Sequence, residues 1–243
     1  VNTPTHIAQR LQDAQHIVVL TGSGISAESG VPTFRDAQTG LWARFQPEQL
    51  ATQAAFDRDP KLVWEWYEWR RTLVAEAAPN PGHHALAELQ SKSQQFTLVT
   101  QNVDGLHQRA GSHDVIEYHG NIMRNLCSKE RIELTTLAVE PDTPPRCPNC
   151  GAYVRPGVVW FGEAIPEDAL MQADAAARNC DVFLSIGTSS LVYPAAGLAE
   201  AALRSGAFVV EINPSLTPLT RLADVALSGK AGQVLPEIVS AMR

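Results

Sequence analysis

The 243-residue sequence contains no apolar run near the roughly 18 residues that a membrane helix requires; runs such as Ile17-Val18-Val19-Leu20 are among its longest, which excludes a spanning helix. Positive charge is scarce. There are 19 Lys+Arg against 26 Asp+Glu, a net charge of −7, and the basic residues are dispersed, so nucleic acid is not expected as a general partner. The N-terminus lacks the basic stretch and apolar core of a signal peptide, so a cytoplasmic setting with reduced thiols is expected. Cysteine is also sparse, at 4 residues. A secreted domain could pair these into disulfides, but the spacing Cys147-Pro148-Asn149-Cys150 reads as a metal knuckle in a reducing compartment. Internal repeats and low-complexity tracts are lacking. What remains, 44% hydrophobic and 19% charged, suits an ordinary folded chain of one large domain or one with insertions.

Short apolar, β-branched runs recur at His16–Thr21, Phe96–Thr100, Asp181–Ile186, Ala207–Ile212 and Ala223–Leu227, bounded by Gly, Asp, Ser or Pro. They read as buried strands of a mainly parallel sheet. Helical patterns alternate with them at His83–Ser91, Glu167–Arg178, Pro194–Ser205 and Gln233–Arg243. The expected fold is therefore α/β, a Rossmann-like doubly wound sheet. Two stretches break the rhythm, an aromatic helical region from about Gly40 to Pro81 and a region of short pieces from about Asn121 to Pro156. They divide the chain into a large domain of residues 1–39, 82–120 and 157–243, and a smaller domain of a helical module at 40–81 and a cysteine-knuckle, zinc-ribbon-like module at 121–156.

Thr21-Gly22-Ser23-Gly24-Ile25-Ser26 follows the first strand, where paired glycines let the backbone approach a pyrophosphate. Position 27 is Ala rather than the third glycine of the usual dinucleotide fingerprint, and a tight turn alone is the competing explanation. The continuation Glu28–Asp36 is polar and flexible, as in a functional loop over a ligand. Thr100-Gln101-Asn102-Val103-Asp104 then places amide and carboxylate groups at a second strand end, on the edge where such sheets bind ligands.

Gly22–Ser26, Gly30–Arg35, Thr100–Gly111, His119-Gly120, Val158–Glu163 and Ile186–Ser189 resemble, in order, the signature segments of the sirtuin family. The resemblance covers nearly the whole chain and implies an NAD-dependent protein lysine deacylase that consumes NAD. It implies catalytic roles for His119, Asn102 and Asp104, and NAD contacts at Gly22, Ser23, Gly24, Ile25, Ser26, Ala27, Glu28, Gly30, Thr33, Phe34, Arg35, Trp42, Gln101, Gly187, Thr188, Ser189, Asn213, Pro214 and Ala231. Residue chemistry agrees: the acyl oxygen must attack the ribose carbon that bears nicotinamide, after which a base frees a ribose hydroxyl. A histidine titrates in the range that step needs. The segment with Val159, Phe161, Gly162 and Glu163 resembles the one that pairs in extended form with substrate backbone, while a core strand is the plainer alternative.

Tyr67 and Arg70 lie three residues apart on one helix face, and a phenol plus an arginine fork is a carboxylate clamp. An aromatic core face with a snorkelling arginine is the plainer reading. The Tyr-x-x-Arg motif, with Ala51 leaving room, resembles the bacterial deacetylase/desuccinylase branch, which acts on succinyl and malonyl groups. Sirtuins carry two Cys-x-x-Cys pairs for structural zinc, but the first pair here reads Cys127-Ser128-Lys129-Glu130. Cys127, Cys147 and Cys150 remain as ligands, with Glu130 or water to complete four, or else the module is metal-free and held by packing. Cys180 reads as a buried core thiol. The expected partners are acyl-lysine proteins or peptides, with neither nucleic acid nor membrane, and the short termini suggest a stand-alone enzyme. Competing functions are transfer of ADP-ribose to protein and a non-catalytic NAD-binding module.

Overall fold

The computed structural model describes residues 4–32, 46–135 and 144–242. Helix α1 (Pro4–Asp13) leads into β1 (His16–Thr21), followed by the short α2 (Ser23–Ala27). Helices α3 (Pro47–Leu50), α4 (Gln53–Arg58) and α5 (Pro60–Glu76) form the first insertion. Then come α6 (Pro81–Lys92), β2 (Gln95–Thr100), α7 (Leu106–Arg109) and β3 (Ile116–Glu117). The pair β4 (Gly120–Cys127) and β5 (Val154–Val158) is the second insertion. The chain closes with α8 (Glu167–Asn179), β6 (Val182–Ile186), α9 (Ala196–Arg204), β7 (Phe208–Ile212), a 3₁₀ turn at Pro218–Arg221, β8 (Val225–Leu227) and α10 (Ala231–Ser240).

The main sheet has the order β3-β2-β1-β6-β7-β8, and every pairing in it is parallel. The five expected strands fall within a residue or two of their places. β1 is central and wholly buried, so its alternate residues serve opposite faces: Ile17 and Val19 pack with α1, α6 and α10, while Val18 and Leu20 pack with α8 and α9. Alanine dominates the second face, with Ala173, Ala177, Ala199 and Ala202 buried, which lets those helices approach the sheet closely. The first helix was not expected from the sequence; it covers the sheet with Ile7 and Leu11. No helix among the described residues is long and apolar enough to cross a membrane.

In the insertions, α5 is started by Asp59, whose side chain accepts from Leu62 N–H, with Pro60 in the first turn. Its aromatic residues serve two cores. Trp66 and Tyr67 join Leu50, Ala51, Phe56, Leu106 and Trp160, whereas Trp64 packs on Cys127, Cys147 and Val154. Arg71 fastens α5 to β4 through Ile122 O at 2.6 Å and Arg124 O at 2.9 Å. The antiparallel β4·β5 pair has a bulge between Asn121 and Asn125. A Cβ at Gly120, where φ is +78°, would lie 2.2 Å from Gly157 O, so glycine alone lets the chain turn there from sheet to insertion.

Candidate functional site

The chain leaves β1 toward β2 on one side and later returns to pair β6 with β1 on the other. This reversal opens a crevice beyond the carboxyl ends of β1 and β6, the place where open α/β sheets bind nucleotides. Both lips are glycine loops in direct contact. Gly22 N–H donates to Ile186 O at 3.0 Å, and Gly24 N–H donates to Gly187 O at 2.8 Å. A Cβ at Gly24 would fall 2.7 Å from Gly187 O, and one at Gly187, where φ is +60°, would fall 2.6 Å from Ile25 N. The sequence suggested that these glycines serve a pyrophosphate; within the protein they first serve the approach of one loop to the other, and the Gly22, Gly24 and Ile25 amides are already bonded. Ser23 and Ala27 are exposed on α2.

A buried polar layer lies under this edge. Ser26 Oγ donates to Asp104 Oδ2 at 2.7 Å, accepts from Asn102 Nδ2 at 3.0 Å and meets His83 Nε2 at 3.4 Å. Its one proton and both acceptor positions are thus used. Asn102 donates its second amide proton to Gly22 O at 3.1 Å, and Asp104 Oδ1 accepts from Leu106 N at 3.0 Å. Burial raises the Asp104 pKa, opposed by the hydrogen bonds from Leu106 and Ser26. Gln101 donates to Thr188 Oγ1 at 3.0 Å, and Asn213 Nδ2 donates to Thr188 O at 3.0 Å, so Gln101, Thr188 and Asn213 form one bridge across three strand ends. Ser189 is partly buried beside them, and Pro214 is exposed. Glu28 Oε2 accepts from Gly232 N at 2.8 Å, next to Ala231, the first residue of α10. Ile25 is fully buried in the sheet core, and Gly30 follows α2 with φ +80°. Thr33, Phe34, Arg35 and Trp42 lie outside the described residues.

His119 follows β3. Its Nδ1 lies 3.0 Å from Gln101 O, and because a carbonyl oxygen only accepts, Nδ1 carries the proton and Nε2 is left as the basic nitrogen. Burial lowers the pKa of His119 below 6.5, partly countered by that hydrogen bond, so the ring is neutral at pH 7. The sequence reading missed two deeper histidines. Burial brings His83 down to about 4 and His107 down to about 3; their rings are 4.9 Å apart, and His107 Nε2 meets Thr21 Oγ1 at 2.9 Å. His107 lies within the Thr100–Gly111 signature segment but was given no role, and His83 lies in no motif, so their contacts are revealed only by the tertiary structure.

On the insertion side, Val159 N–H donates to His119 O at 2.9 Å and Phe161 N–H to Ala51 O at 2.9 Å. The core strand itself is shorter than the segment: β5 ends at Val158, Phe161 makes an isolated parallel bridge to Thr52, and Glu163 N–H closes a turn onto Trp160 O at 3.0 Å, with Gly162 at φ +85°. The side chain of Glu163, a residue of the segment expected to line substrate, grips the protein. Its carboxylate binds Arg155 through Nη1 at 2.5 Å and Nη2 at 2.9 Å, Trp160 N at 2.8 Å and Arg131 Nη1 at 3.0 Å. Burial would raise its pKa, but these partners outweigh burial and hold it at about 2. Tyr67 is buried with Ala51, and its hydroxyl accepts from Trp160 Nε1 at 3.0 Å. Burial pushes this phenol up to about 12, so it stays protonated. The Arg70 guanidinium lies 5.2 Å over the Trp66 ring; burial lowers its pKa, against the opposing pull of Tyr67 and Asp104.

The cysteine module forms two matching knuckles. Arg131 N–H donates to Cys127 O at 3.0 Å and Gly151 N–H to Cys147 O at 2.9 Å; Cys127 N–H donates to Ile132 O at 3.0 Å and Cys147 N–H to Ala152 O at 2.7 Å. Arg131 and Gly151 both take positive φ, 60° and 71°. Glu130 therefore occupies in the first knuckle the place of Cys150 in the second. The ligand atoms of Cys127, Glu130, Cys147 and Cys150 all lie within 4.8 Å of one another, with Cys127 Sγ to Cys150 Sγ at 3.5 Å and Cys147 Sγ to Glu130 Oε2 at 3.9 Å. A tetrahedron with Zn–S of about 2.3 Å has edges of about 3.8 Å, so the donor set fits zinc. Cys180 is buried in the sheet core, away from this cluster, and burial raises its thiol to about 11.

These features define an α/β protein with a crevice at its switch point, a neutral histidine on the rim and an inserted cysteine-knuckle module. Residues 22–194 match the Sir2 family, and the chain belongs to it. It is 53% identical over 231 residues to the NAD-dependent protein deacylase of Aquifex aeolicus, covering 94% of this chain and 95% of that protein. It is 51% identical over 237 residues to the NAD-dependent protein deacylase of Ralstonia nicotianae, covering 98% and 96%. The crystal structure of a Sir2 homologue in complex with NAD superposes with a TM-score of 0.92 at 44% identity, covering 98% of this chain and 93% of that one.

Proposed function

We propose that this protein is an NAD-dependent protein lysine deacylase that removes acidic acyl groups, succinyl and malonyl, as well as acetyl. The observation that carries the reaction is the hydrogen bond from His119 Nδ1 to Gln101 O, which presents a neutral, basic Nε2 at the crevice in a chain of the Sir2 family. NAD, consumed as a co-substrate, supplies an electrophilic ribose carbon from which nicotinamide departs. His119 Nε2 takes the proton from a ribose hydroxyl, which frees that oxygen to receive the acyl group. Asn102, with both amide protons committed to Gly22 O and Ser26 Oγ, turns its carbonyl toward the ligand as an acceptor. Asp104, held by Ser26 and Leu106, is positioned to accept from a carboxamide. With water, the products are free lysine, nicotinamide and O-acyl-ADP-ribose.

The acyl breadth is supported by Tyr67 and Arg70. A protonated phenol and a guanidinium offer two donors to a carboxylate; the two groups feel each other's field, and Arg70 also feels that of Asp104. Ala51, whose backbone is tied to Phe161, keeps a small side chain in that cluster. In the knuckles, Cys127, Glu130, Cys147 and Cys150 would hold zinc, which supplies a structural crosslink.

Mass spectrometry of one peptide bearing acetyl- or succinyl-lysine, with and without NAD, tests this reading. Loss of each acyl group and formation of the matching O-acyl-ADP-ribose, only with NAD, is expected. Acetyl removal alone would remove the acidic-acyl reading. Labelling of protein without any acyl-lysine would favour ADP-ribose transfer, and no product at all would favour a binding module.

A further inference from the structure

We propose that Trp160 is a positioning residue for acyl specificity: its indole N–H holds the Tyr67 phenol so that the phenolic proton faces the carboxylate of an acidic acyl-lysine. This rests on the acidic-acyl reading above and names a residue outside the Tyr-x-x-Arg motif as its determinant.

An indole N–H can only donate, so in the 3.0 Å contact with Tyr67 the phenol oxygen must accept. That leaves the phenol with a proton to give, and among the described residues Tyr67 has no hydrogen-bond partner besides Trp160. A neutral donor aimed at a carboxylate is what an acidic acyl group needs, while an acetyl methyl has no use for it. Tyr67 is 3% exposed, so the phenol cannot exchange this role with bulk water.

Trp160 is in turn fixed. It is 2% exposed, its backbone N–H donates to Glu163 Oε2 at 2.8 Å, and the Arg155 guanidinium lies 3.4 Å from its ring centroid. Arg155 is fully buried; besides gripping Glu163 it donates to Val158 O at 2.8 Å and to Gln53 Oε1 at 3.2 Å, spanning β5 and the helical module. Phe56 packs on the indole with ring centroids 5.2 Å apart. The turn that holds Trp160 is also bonded to Ala51 through Phe161 N–H. One rigid unit therefore sets both the room at Ala51 and the orientation of Tyr67.

The test compares the ratio of kcat/KM for succinyl-lysine to that for acetyl-lysine in wild type, Arg70→Met, Tyr67→Phe and Trp160→Phe. Trp160→Phe keeps a ring under Arg155 and removes only the donor, so the ratio is expected to fall about three- to tenfold, through KM for the succinyl peptide, the size of one orienting hydrogen bond. The double variant Trp160→Phe with Tyr67→Phe should fall no further than Tyr67→Phe alone. An unchanged ratio in Arg70→Met would sink the clamp and this inference together. A selective fall in Arg70→Met with an unchanged ratio in Trp160→Phe would overturn the role of Trp160 alone, as would additive losses in the double variant. Should Trp160→Phe not fold, the ¹⁵N–¹H indole signals of the intact protein decide: the signal lost to exchange of partner in Tyr67→Phe is that of Trp160, and it must shift with succinyl peptide but not with acetyl peptide. The same response to both peptides would overturn the proposal.

Discussion

The nucleotide crevice and the insertions reach precision by opposite means. At the crevice the backbone sets the shape: two glycine loops touch at 2.8 Å, and each side chain in the layer below has its hydrogen-bonding capacity assigned by Ser26, Asn102 and Asp104. In the insertions, side chains define the chemistry on a backbone that would accept others. The two knuckles share backbone geometry although one ends in Glu130 and the other in Cys150, and the acyl pocket we propose draws on a phenol, an indole and a guanidinium on a helix and a turn. The first region has little freedom to change; the second can alter its ligand by single replacements. The proposed function draws on that division: a common reaction with a tunable acyl group.

Substitutions that test the crevice should act most strongly. His119→Ala is expected to lower kcat by about 10²- to 10⁴-fold with either acyl peptide, the usual reach of a general base, while the melting temperature holds; an unaltered kcat would place the base elsewhere. Gly187→Ala forces a Cβ to 2.6 Å from Ile25 N at positive φ, so destabilisation of about 3 kcal/mol is expected in denaturant melts. A neutral result would show that the two loops can part.

Effects in the insertions should be narrower. Arg70→Met is expected to cut the succinyl-to-acetyl ratio by about 10- to 100-fold, as one charged hydrogen bond is worth about 1.5–3 kcal/mol. Glu130→Ala should lower zinc affinity by at least about tenfold, and Glu130→Cys should raise it, read by metal content after competition with a chelator; equal retention in all three proteins would mean that Glu130 is not a ligand. The smallest effect concerns pH. Because burial lowers the pKa of His119, the base is present above that pKa and lost as pH falls through it, so the acid limb of kcat/KM should have its midpoint below 6.5. A midpoint at or above 6.5 would contradict the buried, neutral ring. The Glu163–Arg155 pair should leave the midpoint of that limb unchanged, since a carboxyl lowered to about 2 adds stability that is full above 4.5 and is lost progressively as pH falls from there through about 2.

Much of this was legible in the sequence because local patterns carried it. β-branched runs separated by helical periods specify a parallel sheet, and the motif residues Gln101, Asn102, His119 and Thr188 fall at strand ends, which loops of fixed length bring to one edge. The residues missed were those whose role arises from contact alone. His83 becomes part of the site only because α6 packs beside α2, and α1 was passed over because its apolar face is short. The partners of the Glu163 side chain were not legible because a motif reports that a residue is needed, not what it touches; the buried Arg155, eight residues before it, binds the carboxylate.

The sequence by itself therefore determined the strand order's raw material, the glycine loops, the histidine at a strand end, and the presence of three thiols and one carboxylate at knuckle spacing. Each depends on period, turn chemistry or spacing, which are local. Only the tertiary structure decided which nitrogen of His119 is basic, that Glu130 stands in the first knuckle where Cys150 stands in the second, and that Trp160 donates to Tyr67, 93 positions away in sequence. Those outcomes depend on which groups burial forces together and leave each donor a single acceptor, and no local pattern encodes that pairing.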